Sequence, residues 1–132
     1  MFYELTLQVD KLNEKGEEKR VTERYITEDL LFAGTEAKGL HLYKGECDVT
    51  AIKRSKIMEV INEKEDEKPF FKAIVYDVFT DDEGNEKETD YYLLVCAKDI
   101  KNATEKVLDW MKQGYNMELK SISKTKILDI LK

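Results

Sequence analysis

The sequence predicts an α+β domain, with an antiparallel sheet of about six strands and two helices, built from two ββαβ repeats related by an approximate two-fold axis. Residues 47–61 align without a gap on residues 117–131, with Ile52 and Ile122 at the same place in a shared pattern of apolar, hydroxyl and charged side chains. Two shorter matches extend the repeat upstream, Tyr3–Leu7 with Phe71–Val75 and Gly16–Lys19 with Gly84–Lys87. Hairpins within each repeat require antiparallel pairing.

The first repeat, about residues 1–61, begins with a hairpin. Apolar and polar residues alternate over Tyr3–Val9, which indicates a strand with one buried face. Residues 13–16 supply a turn, and the β-branched and aromatic residues of Val21–Glu28 form the returning strand.

A weak helix is expected over residues 35–43, capped by Thr35 and ended by Gly45. Gly34 and Gly39 each cost about 1 kcal/mol of helix propensity, so this helix should be short or irregular. Cys47–Arg54 is the third strand of the repeat.

Residues 62–69 contain no apolar residue before Pro69 and are expected to be a linker to the second repeat, about residues 70–132. The second repeat follows the same order: strand 70–79, turn 81–85, strand 89–96, a helix capped by Asp99 and ended by Gly114, and strand 117–123. Residues 127–131 are too short and apolar to distinguish a strand from a helical turn. Because this tail repeats residues 57–61, we expect each tail to pack on the other half.

Helical spacing predicts that Val107, Leu108 and Met111 contact the sheet, with Trp110 at the edge of that face. The second hairpin is apolar on both faces and therefore suits the centre of the sheet, covered by helices on one face and by the tails on the other. An exposed tyrosine-rich patch is the alternative.

Composition is consistent with a single domain spanning residues 1–132, whose net charge of −6 opposes general binding to nucleic acid. This charge either keeps the protein soluble, which is the simpler interpretation, or steers it toward a basic partner. No apolar run is long enough for a membrane span and no signal peptide is evident, so a cytoplasmic protein without membrane contact is expected. Cys47 and Cys96 lie in apolar stretches and are expected to be buried free thiols.

Several segments resemble an uncharacterised family, a domain of unknown function found in small proteins of Bacteroidota and their phages and prophages. They are Arg20–Ile26, Thr35–Ala37, Val49–Lys53 and Ser121–Thr125, and the resemblance extends over nearly the whole chain. It departs at the first helix, where Gly34 and Gly39 interrupt a segment that is continuous in relatives. The resemblance implies a phage or mobile-element setting and no catalytic activity.

Candidate catalytic and metal-binding residues are few. His41 is the single histidine and has no nucleophile motif beside it, so a packed or surface role is favoured over catalysis. Residues 81–86 resemble a calcium loop but lack the spacing of an EF-hand. No cofactor and no metal site is expected.

Three functional hypotheses remain open. The first is a non-enzymatic protein-binding modulator that inhibits a basic host defence protein, such as an RNA-guided nuclease, in the manner of an anti-CRISPR protein. Its expected contacts are Asp81, Asp82, Glu83 and Glu86, with Tyr76 and Tyr91 as aromatic anchors. The second is a nucleic-acid-binding accessory protein that uses Lys53, Arg54, Lys56, Lys120, Lys124 and Lys126. The third is an enzyme centred on His41 or the acidic turn. The oligomeric state and the partner's identity are not predicted.

Overall fold

The computed structural model describes residues 1–29, 31–61, 69–113 and 116–131. Within these ranges the chain forms, in order, β1 (Phe2–Leu12), β2 (Glu18–Glu28), α1 (Phe32–Leu42), β3 (Asp48–Arg54), β4 (Ile57–Ile61), β5 (Phe70–Thr80), β6 (Glu86–Cys96), α2 (Ile100–Met111), β7 (Glu118–Lys124) and β8 (Ile127–Leu131). Two compact units result. Unit 1 contains residues 1–56 and 126–132, and unit 2 contains residues 57–125.

The prediction of one six-stranded antiparallel sheet is wrong. The described strands form two four-stranded sheets, one in the order β3-β1-β2-β8 and the other in the order β4-β6-β5-β7. Each hairpin is the centre of its own sheet, and each helix packs on the sheet of its own unit. The predicted count was low because both apolar tails are strands that complete a sheet.

The tails of the two repeats are exchanged. β4 follows the third strand of the first repeat but pairs in parallel with β6, and β8 follows the second repeat but pairs in parallel with β2. The expected reciprocal packing is therefore confirmed, but the tails join the sheet edges and do not cover a face. Parallel pairing is possible because each tail reaches its neighbour through a crossover and not through a hairpin.

The strand registers repeat in detail between the two sheets. Leu5 pairs with Ile52 across β1 and β3, and Ala73 pairs with Ile122 at the equivalent place across β5 and β7. Register shifts recur at equivalent positions as well. They lie between Thr6 and Leu7 in β1, between Ile74 and Val75 in β5, and again where the tails join β2 and β6. Ile52 and Ile122 therefore occupy equivalent strand positions, as the alignment predicts.

In unit 1, α1 packs closely on its sheet. The helix begins at Phe32 and not at the predicted Thr35, which is fully buried inside the helix, and its N-cap residue Leu31 makes no side-chain cap. Gly39 is buried against β1, because a Cβ atom built there would lie 2.5 Å from Leu5 Cδ2. The glycine that lowers helix propensity is thus the residue that allows close packing.

The C-terminal end of α1 forms a Schellman motif. The Gly45 amide donates to the Leu40 carbonyl at 2.8 Å, and the Lys44 amide donates to the His41 carbonyl at 3.2 Å. Lys44 has the left-handed φ of 54° that this motif requires, and Gly45 follows with φ of 85°. The helix ends at Leu42 with Tyr43 as its C-cap, within one residue of the predicted end at residue 43. Gly45 follows as the second residue of the motif beyond the cap.

Unit 2 has a more conventional helix. Asp99 caps α2 as predicted, accepting a hydrogen bond from the Asn102 amide at 2.7 Å. Val107 is fully buried, while Trp110 and Met111 are half-buried against the same core. Leu108, predicted to contact the sheet, is 42% exposed, because the buried stripe of the helix runs through Ala103 and Val107. The predicted C-cap, Gly114, lies outside the described residues.

Neither Cys47 nor Cys96 forms a disulfide, as predicted. Cys96 is buried, while Cys47 is only half-buried, with its thiol 3.7 Å from the Gly39 carbonyl oxygen. Burial raises the pKa of the Cys47 thiol, and the neighbouring carboxylates of Asp48 and Glu23 raise it further, which lowers its reactivity.

Candidate functional site

The two equivalent hairpins differ most in charge at their outer ends. Residues 77–88, here called the outer hairpin, contain six acidic residues and one lysine, a net charge of −5. The equivalent residues 9–20 contain four acidic and four basic residues, a net charge of 0. Both segments have the same backbone, with glycines of positive φ at Gly16 and Gly84. Backbone geometry therefore does not account for the difference in charge.

Asp81 builds the turn of the outer hairpin. Its Oδ1 atom accepts hydrogen bonds from the Glu83 amide at 3.0 Å and the Asn85 amide at 2.8 Å. Asn13 makes the same two contacts in the first hairpin, at 2.9 Å each. Asp81 also lies 3.6 Å from Lys87 Nζ. Its carboxylate is therefore committed to the turn.

The other predicted acidic contacts, Asp82, Glu83 and Glu86, have exposed side chains at the tip of the outer hairpin. They remain available to a partner. The structure brings together all four carboxylates of the predicted site, and Asp81 holds the loop that carries the others.

The two predicted aromatic anchors lie on opposite faces of the sheet of unit 2. Tyr76 pairs with Asp90, whereas Tyr91 pairs with Val75, whose side chain is in the buried core. Tyr91 is half-buried against that core. The two tyrosines therefore cannot act together as anchors on one face beside the acidic tip.

Tyr76 is already engaged within unit 2. Its hydroxyl donates to Glu118 Oε2 at 2.7 Å, and this bond raises the pKa of Tyr76. Lys120 Nζ lies 5.8 Å from the centre of its ring. The outcome lies between the two alternatives, because Tyr76 is half-buried and hydrogen-bonded and Tyr91 packs against the core of unit 2.

Two apolar residues that the sequence reasoning did not assign to the candidate site are exposed beside the acidic tip. Val78 is 55% exposed and Phe79 is 47% exposed. Their equivalents in the first hairpin are Asp10 and Lys11, and Lys11 forms an ion pair with Glu23 at 2.7 Å. The sequence indicates the exposure of both residues, since they lie within three positions of the turn, where the hairpin extends past the part of the strand that the helix covers.

The lysine-rich clusters of the alternative hypothesis are partly neutralised. Lys120 Nζ lies 2.7 Å from Glu88 Oε1 and 3.1 Å from Asp90 Oδ1, and its hydrogen bonds to these carboxylates raise its pKa. The other members of the clusters are exposed, at the ends of β3 and β7 and in the short connections to the tails: Lys53, Arg54, Lys56, Lys124 and Lys126. Lys120 is therefore poorly placed to bind phosphate.

A buried carboxylate that the sequence reasoning missed lies in unit 1. Glu23 is 5% exposed and accepts hydrogen bonds from Lys11 Nζ at 2.7 Å, from the Tyr25 hydroxyl at 3.0 Å and from the Tyr43 hydroxyl. Burial alone would raise the pKa of Glu23, but the hydrogen bonds from Lys11, Tyr43 and Tyr25 outweigh it and lower this pKa. Burial and the neighbouring Tyr43 and Glu23 raise the pKa of Tyr25.

This buried cluster joins the hairpin to the end of α1, because Tyr43 is the C-cap residue of that helix. The equivalent positions in unit 2 are Phe79, Tyr91, Leu93 and Met111. The polar cluster therefore has a structural role: its hydrogen bonds to Glu23 hold the hairpin against the end of α1. The sequence feature that indicates this cluster is the position of Glu23, which alternates with the inward-facing residues Val21, Tyr25 and Thr27 of β2.

His41 is exposed near the end of α1 and lines a shallow depression of about 410 Å³ with Ala37, Lys38, Leu42 and Leu131. No serine, threonine or cysteine from the part of the chain that the structure describes lines it. Among the described residues, no group of three histidine, cysteine, aspartate or glutamate side chains is arranged to hold a metal ion. None of the helices in the described ranges is long and apolar enough to cross a membrane.

The model of one protein family matches residues 1–132, the whole chain. The chain belongs to the family described as Domain of unknown function (DUF4494). This confirms the resemblance to an uncharacterised family that the sequence segments indicate. No curated protein and no solved structure matches the chain.

Proposed function

We propose that this protein is a non-enzymatic, protein-binding modulator from a phage or mobile element, and that it acts in the cytoplasm by engaging a basic host protein. A nucleic-acid-processing defence protein, such as an RNA-guided nuclease, is the proposed target, which makes the activity anti-CRISPR-like. The observation that supports this most is the outer hairpin, which combines a net charge of −5 with the exposed side chains of Val78 and Phe79.

Charge and apolar area have separate roles in this proposal. Clustered carboxylates speed the encounter with a basic surface, but they give little residence time in physiological salt. Large apolar side chains that become buried in the complex slow dissociation. Val78 and Phe79 fill the role first assigned to Tyr76 and Tyr91, which are engaged elsewhere in unit 2.

The first hairpin argues against a general explanation by solubility. A carboxylate-rich turn would serve solubility equally well in either repeat, yet the equivalent segment has no net charge and places Asp10 and Lys11 where the outer hairpin has Val78 and Phe79. The asymmetry therefore favours a role specific to the second hairpin.

Nucleic-acid binding remains the alternative function, through Lys53, Arg54, Lys56, Lys124 and Lys126. It is less favoured because Lys120 is paired with two carboxylates and the chain is acidic overall. An enzymatic role for His41 has no geometric support, since none of the described residues that line the depression beside it is a nucleophile.

The test is a charge-neutralised outer hairpin that keeps its turn. The variant combines Asp81→Asn, Asp82→Ser, Glu83→Ser and Glu86→Ser, and the asparagine preserves the turn because Asn13 makes the same contacts in the first hairpin. The matched control carries Glu14→Ser and Glu18→Ser, the equivalents of positions 82 and 86.

The host protein captured by the wild-type chain serves as the analyte in surface plasmon resonance at several salt concentrations. We expect the variant to associate roughly tenfold more slowly with a weaker salt dependence, and the control to match the wild type. Equal association rates and equal salt dependence in the variant and the wild type would reject the proposal and favour the lysine clusters.

A further inference from the structure

The exposed apolar side chains of the outer hairpin point to opposite sides. Val78 pairs with Glu88 and Phe79 pairs with Lys87, in an unbroken antiparallel register. Side chains of successive residues in a strand alternate between the two faces. Val78 therefore lies on the face that carries Tyr76, and Phe79 lies on the face that carries Val75.

The length of the projection can be estimated from the same register. Residues 77–80 complete β5, and the turn follows at Asp81, so the outer part of the hairpin extends roughly 13 Å at about 3.3 Å per residue. The exposed carboxylates of Asp82 and Glu83 lie at its far end.

We propose that the outer hairpin inserts into a cleft of its partner protein, with positively charged walls, and does not rest on a flat surface. This inference rests on the proposed function and deepens it by stating the shape and chemistry of the partner. The partner's cleft holds the two-stranded ribbon between two apolar contacts, one for Val78 and one for Phe79.

The argument for a cleft comes from burial on both faces. A flat partner covers one face of a ribbon and leaves the other apolar side chain in water, whereas a cleft removes both from water and gains from both. The charge distribution fits the same geometry, because the acidic tip enters first and meets cations at depth. A protein channel that binds nucleic acid has this chemistry, since it presents lysine and arginine to phosphates.

The test is site-specific photocrosslinking in the host. Full-length chains carrying p-benzoylphenylalanine in place of Val78 or of Phe79 are produced separately and irradiated, and the crosslinked peptides are sequenced by mass spectrometry. The equivalent positions of the first hairpin, Asp10 and Lys11, carry the same group in two control chains. Thermal unfolding of all four chains verifies that the fold is kept.

We expect positions 78 and 79 to crosslink to one and the same protein at two separate segments, and the controls not to crosslink to it. Crosslinks to that protein from one position alone, or from both positions to a single segment, would overturn the cleft and leave the proposed function intact. Crosslinks from neither position to any protein, or only to nucleic acid, would overturn both.

A kinetic measurement on the captured protein adds an independent test. Val78→Ser and Phe79→Ser are each expected to raise the dissociation rate constant roughly tenfold, because each removes one of two buried contacts. A flat interface predicts that one of the two substitutions leaves the dissociation rate unchanged, and this result would contradict the inference.

Discussion

Gly39 and Leu5 form a complementary pair in unit 1, since the space that a side chain at position 39 would occupy is filled by Leu5. The equivalent residues of unit 2 are Val107 and Ala73, both fully buried in one core cluster. The large and small residues have thus changed places between helix and strand. The strand supplies the larger side chain of this pair in unit 1, and the helix supplies it in unit 2, so that each core is filled.

Gly39→Val is expected to destabilise the protein by about 1–3 kcal/mol through overpacking, although it improves helix propensity. Adding Leu5→Ala should recover part of this loss, because the double variant reproduces the pair found in unit 2. Chemical denaturation of both single variants and the double variant measures the coupling. Strict additivity of the two effects would contradict the exchange of volume.

Lys44→Gly is expected to stabilise the protein by up to about 1 kcal/mol, because a lysine in the left-handed region is strained and a glycine is not. Lys112 is the equivalent residue after α2 and has a right-handed φ of −66°. Lys112→Gly is therefore the control, expected to destabilise by about 0.5–1 kcal/mol. Thermal midpoints that move in the same direction for both variants would refute this reading of the helix end.

Val107→Ala is expected to cost about 2 kcal/mol, because it removes two buried methyl groups and leaves a cavity. Leu108→Ala, one residue along the same helix, should cost less than 1 kcal/mol because Leu108 is 42% exposed. Urea denaturation of the two variants decides which residue faces the core. A larger loss of stability for Leu108→Ala would show that Leu108 faces the core, as helical spacing alone predicts.

Glu23→Gln is expected to cost about 2 kcal/mol at neutral pH, since a buried carboxylate with charged and hydroxyl donors is replaced by a neutral amide. The folded-state pKa of Glu23 is lowered, so its contribution is present above the unfolded pKa of about 4.3 and is lost as the pH falls through the folded value.

The difference in the free energy of unfolding between the wild type and Glu23→Gln should therefore become smaller as the pH falls below about 4. Glu28→Gln, an exposed position on the same strand, is the control and should change the free energy of unfolding by less than about 0.5 kcal/mol. Denaturation midpoints at pH 3, 4 and 7 provide the measurement. A gap that stays constant across this range would show that Glu23 is not ionised in the fold.

Sequence patterns identified strands and faces well, because alternation reports directly on which side chains are buried. Tyr3, Leu5, Leu7 and Val9 are all buried, as the alternation predicts. The same patterns do not report which strands share a sheet, so the division into two sheets was not foreseen. The tails were ambiguous because a five-residue apolar run such as residues 127–131 suits several environments.

The candidate site was predicted in part. The carboxylates at the hairpin tip follow from composition and turn chemistry, and the structure places Asp82, Glu83 and Glu86 in exposed positions. Residue type and nearness to the turn predict Tyr76 and Tyr91 as anchors but do not report the face of the sheet. An odd spacing of fifteen residues across the hairpin places the two tyrosines on opposite faces. Glu23 was missed because a charged residue in a buried position is rare and was treated as solvated.

The exchange of tails also sets the order in which the two sheets can be completed during synthesis. All strands of the sheet in unit 2 lie within residues 57–125, whereas the sheet of unit 1 needs β8 from the end of the second repeat. In unit 1, Thr27 Oγ1 donates a hydrogen bond to the carbonyl oxygen of Leu131, which is 104 residues further along the chain. Most of unit 1 is therefore synthesised before unit 2, but the sheet of unit 1 is completed after the sheet of unit 2. Until β8 arrives, β2 presents an unpaired edge to the cell, and a chaperone or a neighbouring nascent chain can reach it.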